Sequence, residues 1–288
     1  MLKLLIVEGN VKELREKALN AGSIAQSDLY RNVLNSLADD LECTIVYPAD
    51  ENGALPLSDE LGVFDGITWT GSALNIYDRS RAVDCQIDFM KLCLAQRTCV
   101  FGSCWGLQVA VVAAGGEVVA NTKGLQIGIA RDIRITEDGL SHPLYRGKPP
   151  VFDAVTVHLD HVVQLPAGSM VLSGNDMSQV QAIQIKQGKS LFWGVQYHPE
   201  FDLEYFACII RRYGQLLVDE GICKDNAHVE KWASDLVAAL HDENGDGLRR
   251  EYSLGNDVLD AHCRLLELSN WLSFLRETKA NTNANASD

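Results

Sequence analysis

The 288-residue chain lacks an excess of basic residues: its formal net charge is −14. That argues against nucleic acid and anionic membrane surfaces as partners, because both attract a basic face. No apolar run is long enough to cross a bilayer. The opening Met1–Glu8 is apolar over too few residues for a signal peptide and has no small-residue cleavage site, so a buried strand is expected there. Eight cysteines (Cys43, Cys85, Cys93, Cys99, Cys104, Cys208, Cys223 and Cys263) are scattered without a C-x-x-C pair. This argues against a disulfide framework and for reduced thiols in the cytoplasm. The histidines show no metal-ligand spacing, and P-loop and ATP-pyrophosphatase signatures are missing. No metal and no cofactor are expected.

What is present is an alternating pattern. Leu2–Val7, Cys43–Tyr47, Gly66–Trp69 and Cys99–Ser103 read as strands, with helices expected over Ser27–Leu37, after Ser80, and from Trp105 to about Ala114. Alternation of this kind predicts an α/β fold of three layers, a mainly parallel central sheet with helices on both faces. Residues 117–200 turn to short β-rich runs, a meander feeding one last core strand, and 202–218 reads as a helix.

The last strand of the alternating half ends in Gly102-Ser103-Cys104-Trp105-Gly106. The spacing is that of the G-x-S-x-G nucleophile elbow, with sulfur in place of oxygen. A helix starting beneath the sulfur favours thiolate over thiol through its amides and partial positive charge. Gly194-Val195-Gln196-Tyr197-His198-Pro199-Glu200 closes the last core strand. A residue before proline is pushed to an extended conformation, where positions i and i+2 project the same way. Glu200 is then placed to hold one ring nitrogen of His198 while the other faces Cys104, as a base and its orienting group require.

Together the two motifs resemble class I, triad-type glutamine amidotransferase domains, particularly the glutaminase half of GMP synthase. Thr70-Gly71-Ser72 with Tyr77-Asp78 is similar to that family's glycine loop, and His158-Leu159-Asp160-His161-Val162 through Gly168 to its H-x-D-x-V-x-x-L-P-x-G segment. The resemblance covers roughly residues 1–217 and implies a flavodoxin-like fold. It also implies γ-glutamyl chemistry: Cys104 attacks a side-chain amide, His198 moves the proton and Glu200 orients it. By the same resemblance, the Gly71 and Trp105 amides form the oxyanion hole, and Gln108, His158 and Asp160 hold the substrate. Two departures stand out. Val157 occupies a position where relatives usually carry serine, and the glycine loop reads Gly71-Ser72-Ala73-Leu74 instead of Gly-Gly-Pro or Gly-Ser-Pro.

Three functions follow as expectations. The first is a glutaminase delivering ammonia to a separate synthetase or acceptor subunit. The second is a stand-alone γ-glutamyl hydrolase, peptidase or transferase. The third is a non-catalytic regulator that keeps the fold, against which an intact Cys-His-Glu set argues. The chain divides into a catalytic domain (1–217), a C-terminal helical extension (218–279) and a disordered tail (280–288). The extension is expected to be a helical hairpin. From Asp219 onward it carries 14 acidic and 7 basic side chains, half the net charge of the chain. Asp242–Gly247 matches the first half of an EF-hand loop, but Ser253 stands where the bidentate glutamate belongs, so a solvated loop is expected. His262 is expected to pack within the last apolar stripe.

Overall fold

The computed structural model describes residues 1–96, 98–242 and 247–285. The chain opens with β1 (Leu2–Val7), α1 (Lys12–Asn20), α2 (Gln26–Leu37), β2 (Leu41–Val46) and β3 (Gly66–Trp69). There follow α3 (Arg81–Ala95), β4 (Cys99–Ser103), α4 (Trp105–Ala113), β5 (Glu117–Ala120), β6 (Gln126–Ile135) and the single turn α5 (Glu137–Leu140). Strands β7 (Val151–His158), β8 (Asp160–Gln164), β9 (Ser169–Gly174), β10 (Ala182–Gln187) and β11 (Ser190–Val195) complete the sheets. The rest is helical: α6 (Leu203–Arg212), α7 (Gly214–Asp219), α8 (Asn226–His241), α9 (Leu248–Glu251), α10 (Asn256–Leu259), α11 (Ala261–Arg264) and α12 (Leu266–Asn285).

Nine strands form one sheet in the order β2-β1-β3-β4-β11-β10-β9-β6-β7, and β5 pairs with β8 in a small second sheet. From β2 to β11 the pairing is parallel; beyond β11 it is antiparallel. The parallel half explains the near-continuous apolar run of β1, since a strand covered on both faces needs no polar side. Its residues alternate between two cores. Leu5 and Val7 join the cluster of α3 and α4, whereas Leu2, Leu4 and Ile6 join that of α2 and α12. The chain leaves β1 for β2 on one side and β3 on the other. In such sheets the crevice at the carboxyl ends of strands flanking this reversal is where ligands bind.

The C-terminal region is not a helical hairpin. Helix α8 lays Val229, Ala233 and Leu236 on α6 in a third cluster. Helix α12 instead places Leu268, Trp271, Leu272 and Leu275 against Leu2, Leu4, Phe101 and Trp193 of the main sheet. Alternating stripes of leucine fixed that each segment is helical, but not which face of the body each would cover. The helix expected over 202–218 is broken between α6 and α7, and α12 runs through Ala280 to Asn285 where a frayed end was expected. His262 is exposed on α11, not packed. The segment 243–246 of the EF-hand-like stretch and residues 286–288 lie outside the described residues. Among the described residues no helix is long and apolar enough to cross a membrane.

Candidate active site

Cys104 sits between β4 and α4 with φ of 49° and ψ of −99°, a conformation that L-residues rarely adopt. Three features impose it. The Cys104 amide donates to the Val195 carbonyl at 2.7 Å, which ties the elbow to the end of β11. The Gln108 amide donates to the Cys104 carbonyl at 3.1 Å, which starts the helix. The flanking glycines fill space that nothing larger can share: a Cβ on Gly102 would lie 2.8 Å from the Gly106 backbone, and one on Gly106 the same distance from the Trp69 carbonyl. Beneath the elbow the buried Gln86 acts as a clamp. Its Oε1 accepts from the indoles of Trp105 and Trp69, and its Nε2 donates to the Gly9 carbonyl.

His198 follows β11 and is fixed through its amide, which donates to the Val155 carbonyl at 2.9 Å. Its Nδ1 lies 2.7 Å from Glu200 Oε1, and both side chains are buried. The pairing is the expected one, but its local cause is different. His198 to Phe201 is a turn closed by the Phe201 amide on the His198 carbonyl at 3.2 Å, not an extended segment. The ring stacks on Phe201 at a centroid separation of 4.0 Å. Nε2 is buried without an aligned hydrogen bond, yet close enough to Cys104 to feel its charge. Burial disfavours the charged ring, but Glu200 and Cys104 outweigh it and raise His198 to about 10. Imidazolium is therefore the favoured form at neutral pH.

Glu200 is itself held. Its Oε2 accepts from Ser103 Oγ at 2.9 Å, and Ser103 in turn is hydrogen-bonded to the Tyr30 hydroxyl. Burial and the Glu200 charge raise the Tyr30 hydroxyl well above its ordinary value, so it stays a neutral partner. Ser103, Tyr30 and Gln86 were not singled out from the sequence. Ser103 carried a signal, being inside the elbow motif; Tyr30 and Gln86 carried none, since nothing in their local pattern marks which helix faces the elbow.

Cys104 opens into a cleft of about 300 Å³. Gln108, His158 and Asp160 line it, as do Ser72 and Asn75 from the loop after Gly71. Gln108 Nε2 reaches the Asp160 carbonyl and Gln196 Oε1, each at 3.5 Å. His158 Nδ1 donates to the Asp160 carbonyl at 2.9 Å, and Nε2 lies 2.9 Å from the side-chain amide of Gln126. Burial lowers His158 to about 4, with His198 and His161 reinforcing the shift, so this ring is neutral. Asp160 keeps one buried oxygen, Oδ1, without a hydrogen-bond partner, and burial raises its carboxyl above the usual range. Gly71 stands against the imidazole: a Cβ there would lie 2.8 Å from His198 Cε1. Among the described residues no group of His, Cys, Asp and Glu is arranged to hold a metal ion.

Comparison with known proteins gives a consistent picture. The family model described as glutamine amidotransferase class-I matches residues 28–210. A Pseudomonas protein named gamma-glutamyl-L-1-hydroxyisopropylamide hydrolase is 34% identical over 282 residues, which covers 95% of this chain and 93% of the relative. A GMP synthase (glutamine-hydrolyzing) from Thermosipho africanus is 36% identical over 101 residues, but that match covers only 35% of this chain and 18% of the synthase. Among solved structures, a glutamine amidotransferase from Thermotoga maritima aligns with a TM-score of 0.63 at 15% identity, over 95% of this chain and 97% of its own. At that identity the likeness is one of fold.

Proposed function

The chain belongs to the class-I glutamine amidotransferase family, and from that premise we propose that it hydrolyses a γ-glutamyl amide through a thioester on Cys104 without help from a second subunit. The observation that carries this reading is the buried His198–Glu200 pair beside a strained cysteine elbow. With the proton of the Cys104–His198 pair resting on the imidazole, the Cys104 sulfur attacks the γ-carbonyl. The negative charge that develops on the carbonyl oxygen is met by the amides of Gly71 and Trp105. The second of these lies in the first turn of α4 and has no acceptor within the helix. His198, protonated and steered by Glu200, passes the proton to the departing amine. Water then enters, loses a proton to the same imidazole and cleaves the thioester to glutamate. Gln108, His158 and Asp160 hold the glutamyl head, with the unpartnered Asp160 oxygen suited to an α-ammonium group.

Independence from a partner is supported by the match to the Pseudomonas hydrolase, which runs along nearly the whole of both chains. A second reading, ammonia delivery to a separate synthetase, is favoured by the GMP synthase match, although that match is confined to a small part of the synthase. The deciding experiment measures glutamate release from glutamine and from N-substituted γ-glutamyl amides by the purified chain, with hydroxylamine to trap the thioester. Partner-free turnover that vanishes in Cys104→Ala is expected. Ammonia release only after a synthetase subunit is added would favour the second reading. No trapped thioester from any substrate would overturn both.

A further inference from the structure

The glycine loop carries Ala73 where relatives carry proline. A proline fixes its own φ and restricts the residue before it, so its ring would stiffen the backbone just after Gly71. Alanine gives no such restraint, but it has the amide N–H that proline lacks. That N–H donates to Asn10 Oδ1 at 3.1 Å, and Ser72 Oγ reaches the same oxygen at 3.3 Å. The Leu74 amide then closes on Ser72 Oγ at 3.2 Å.

Asn10, in the turn between β1 and α1, is fixed from its other side. Its Nδ2 and its backbone amide donate to Glu8 Oε1 at 3.1 and 3.0 Å, and Glu8 Oε2 accepts from the Ser27 amide at the start of α2 at 2.8 Å. The Asn10 carbonyl accepts from Arg15 Nη1 at 2.8 Å, and Arg15 is paired with Asp50. Glu8 and Asn10 are both buried. Gly9 lies against both Gly71 and Trp105: a Cβ there would lie 2.7 Å from the Gly71 carbonyl and 2.8 Å from Trp105 Cδ1. The Gly9 amide donates to Thr70 Oγ1, which donates to the Gly71 carbonyl, each at 2.9 Å.

Resting on the reading of the Gly71 and Trp105 amides as the oxyanion hole of a γ-glutamyl hydrolase, we propose that Asn10 is a positioning residue for the reaction: its carboxamide, held by Glu8, keeps the Gly71–Ala73 backbone in the geometry that meets the oxyanion, and so replaces the restraint that a proline at position 73 would give.

An oxyanion donor acts only if it is in place before the charge develops. The charge is absent from the bound amide, so a loosened loop costs transition-state stabilisation more than substrate binding. Asn10 does not line the cleft, which leaves the loop as its route to the reaction. If its role were only to stabilise the fold, its loss would lower the melting temperature and leave the folded molecules as fast as before.

The test measures kcat and KM of the full chain on one γ-glutamyl amide, well below the melting temperature, beside the rate of iodoacetamide alkylation at Cys104 read by peptide mass spectrometry. Alkylation needs the thiolate but develops no oxyanion. Asn10→Ala should lower kcat about tenfold with KM within about twofold and alkylation unchanged. Ser72→Ala, at a half-buried position that puts folding at little risk, removes one donor to Asn10 and should lower kcat about threefold. Adding Ala73→Pro to Asn10→Ala should recover at least about threefold in kcat, because the ring restores the lost restraint. A kcat unmoved by both single variants, alkylation that falls in step with kcat, or no recovery from the proline would overturn the brace while leaving the hydrolase reading intact. Failure of the unaltered chain to form a thioester with any γ-glutamyl amide would overturn the hydrolase reading and the brace with it.

Discussion

His158 and His198 invite comparison. Each stands at or just beyond the end of a strand, each is almost wholly buried, and each is followed two residues later by a carboxylate residue. Yet one ring is pushed down to about 4 and the other up to about 10. The difference is in what faces Nδ1. After His198 the chain turns, so that the Glu200 side chain itself meets the ring. After His158 the chain bends at Leu159 into β8, so that only the carbonyl of Asp160 meets the ring and the carboxylate is turned away. Burial penalises both rings; only the one with a carboxylate against it and a sulfur beyond it recovers its charge. Two motifs of the same form, H-x-E and H-x-D, therefore leave one ring favouring its charged form and the other neutral, and under the proposed mechanism only the first carries a proton.

The largest effect expected on breaking this contrast is at His198. His198→Ala should lower kcat by on the order of 10⁶-fold, as loss of the base does where nucleophile and base act as one unit. His158→Asn should cost about tenfold to a hundredfold in kcat/KM, mostly through KM, the scale of one hydrogen bond to a charged group. Steady-state kinetics on one γ-glutamyl amide distinguish the two, and equal losses would show that the rings do not differ in role.

Next comes the carboxylate that separates them. Glu200→Gln keeps the shape but removes the charge, and a loss of about 10⁴-fold in kcat is expected. The residual activity should also change its pH dependence. Without the carboxylate the imidazolium is less favoured, so the alkaline limb of the kcat profile should move to lower pH. An unmoved limb would mean that another group sets it.

The opposite shifts also predict opposite limbs of stability against pH. His158 has a folded value of about 4 against an ordinary 6.5, so its contribution is complete above 6.5 and is lost as pH falls toward 4. His198 has a folded value of about 10 against the same 6.5, so its contribution is complete below 6.5 and is lost as pH rises toward 10. The first is worth about 3 kcal/mol and the second about 5 kcal/mol. Melting temperature followed across pH should show a flatter acid limb in His158→Gln and a flatter alkaline limb in His198→Gln. The reverse assignment would undo the comparison.

The contrast also marks where the sequence was legible. The elbow at Cys104 and the pairing of His198 with Glu200 were readable because each is local: a glycine-flanked cysteine between an apolar run and a helix, and a carboxylate two residues from a histidine. The mainly parallel sheet was readable from buried strands alternating with amphipathic helices. The strand β8 was missed because Asp160–Gln164 pairs with the distant β5 in a sheet of only two strands. The course of α12 was missed for a related reason. Its leucines specify an apolar stripe, but the choice of surface was made by Phe101 and Trp193, far away in the sequence, which left room for Trp271. The apolar lining of the cleft is likewise assembled from distant segments, Leu125 just before β6, Val157 of β7, Tyr213 between α6 and α7 and Leu216 of α7, and no window of sequence contains it.

The smallest effect concerns the support behind Glu200. Ser103 precedes Cys104, and its hydroxyl donates to the carboxylate oxygen that His198 does not use. Ser103→Ala removes that donor from a wholly buried site and leaves the Tyr30 hydroxyl without its serine partner. A carboxylate with one donor fewer is freer to rotate away from the imidazole, so the ring that it steers spends less time aligned with Cys104. One hydrogen bond to a charged group is worth about 1.5 kcal/mol at the low end, or roughly tenfold. That tenfold should appear in kcat with KM unchanged, because Ser103 does not line the cleft. A change in KM alone would instead place the serine's influence on substrate binding. A kcat as low as that of Glu200→Gln would show that the carboxylate has no other means of holding its position.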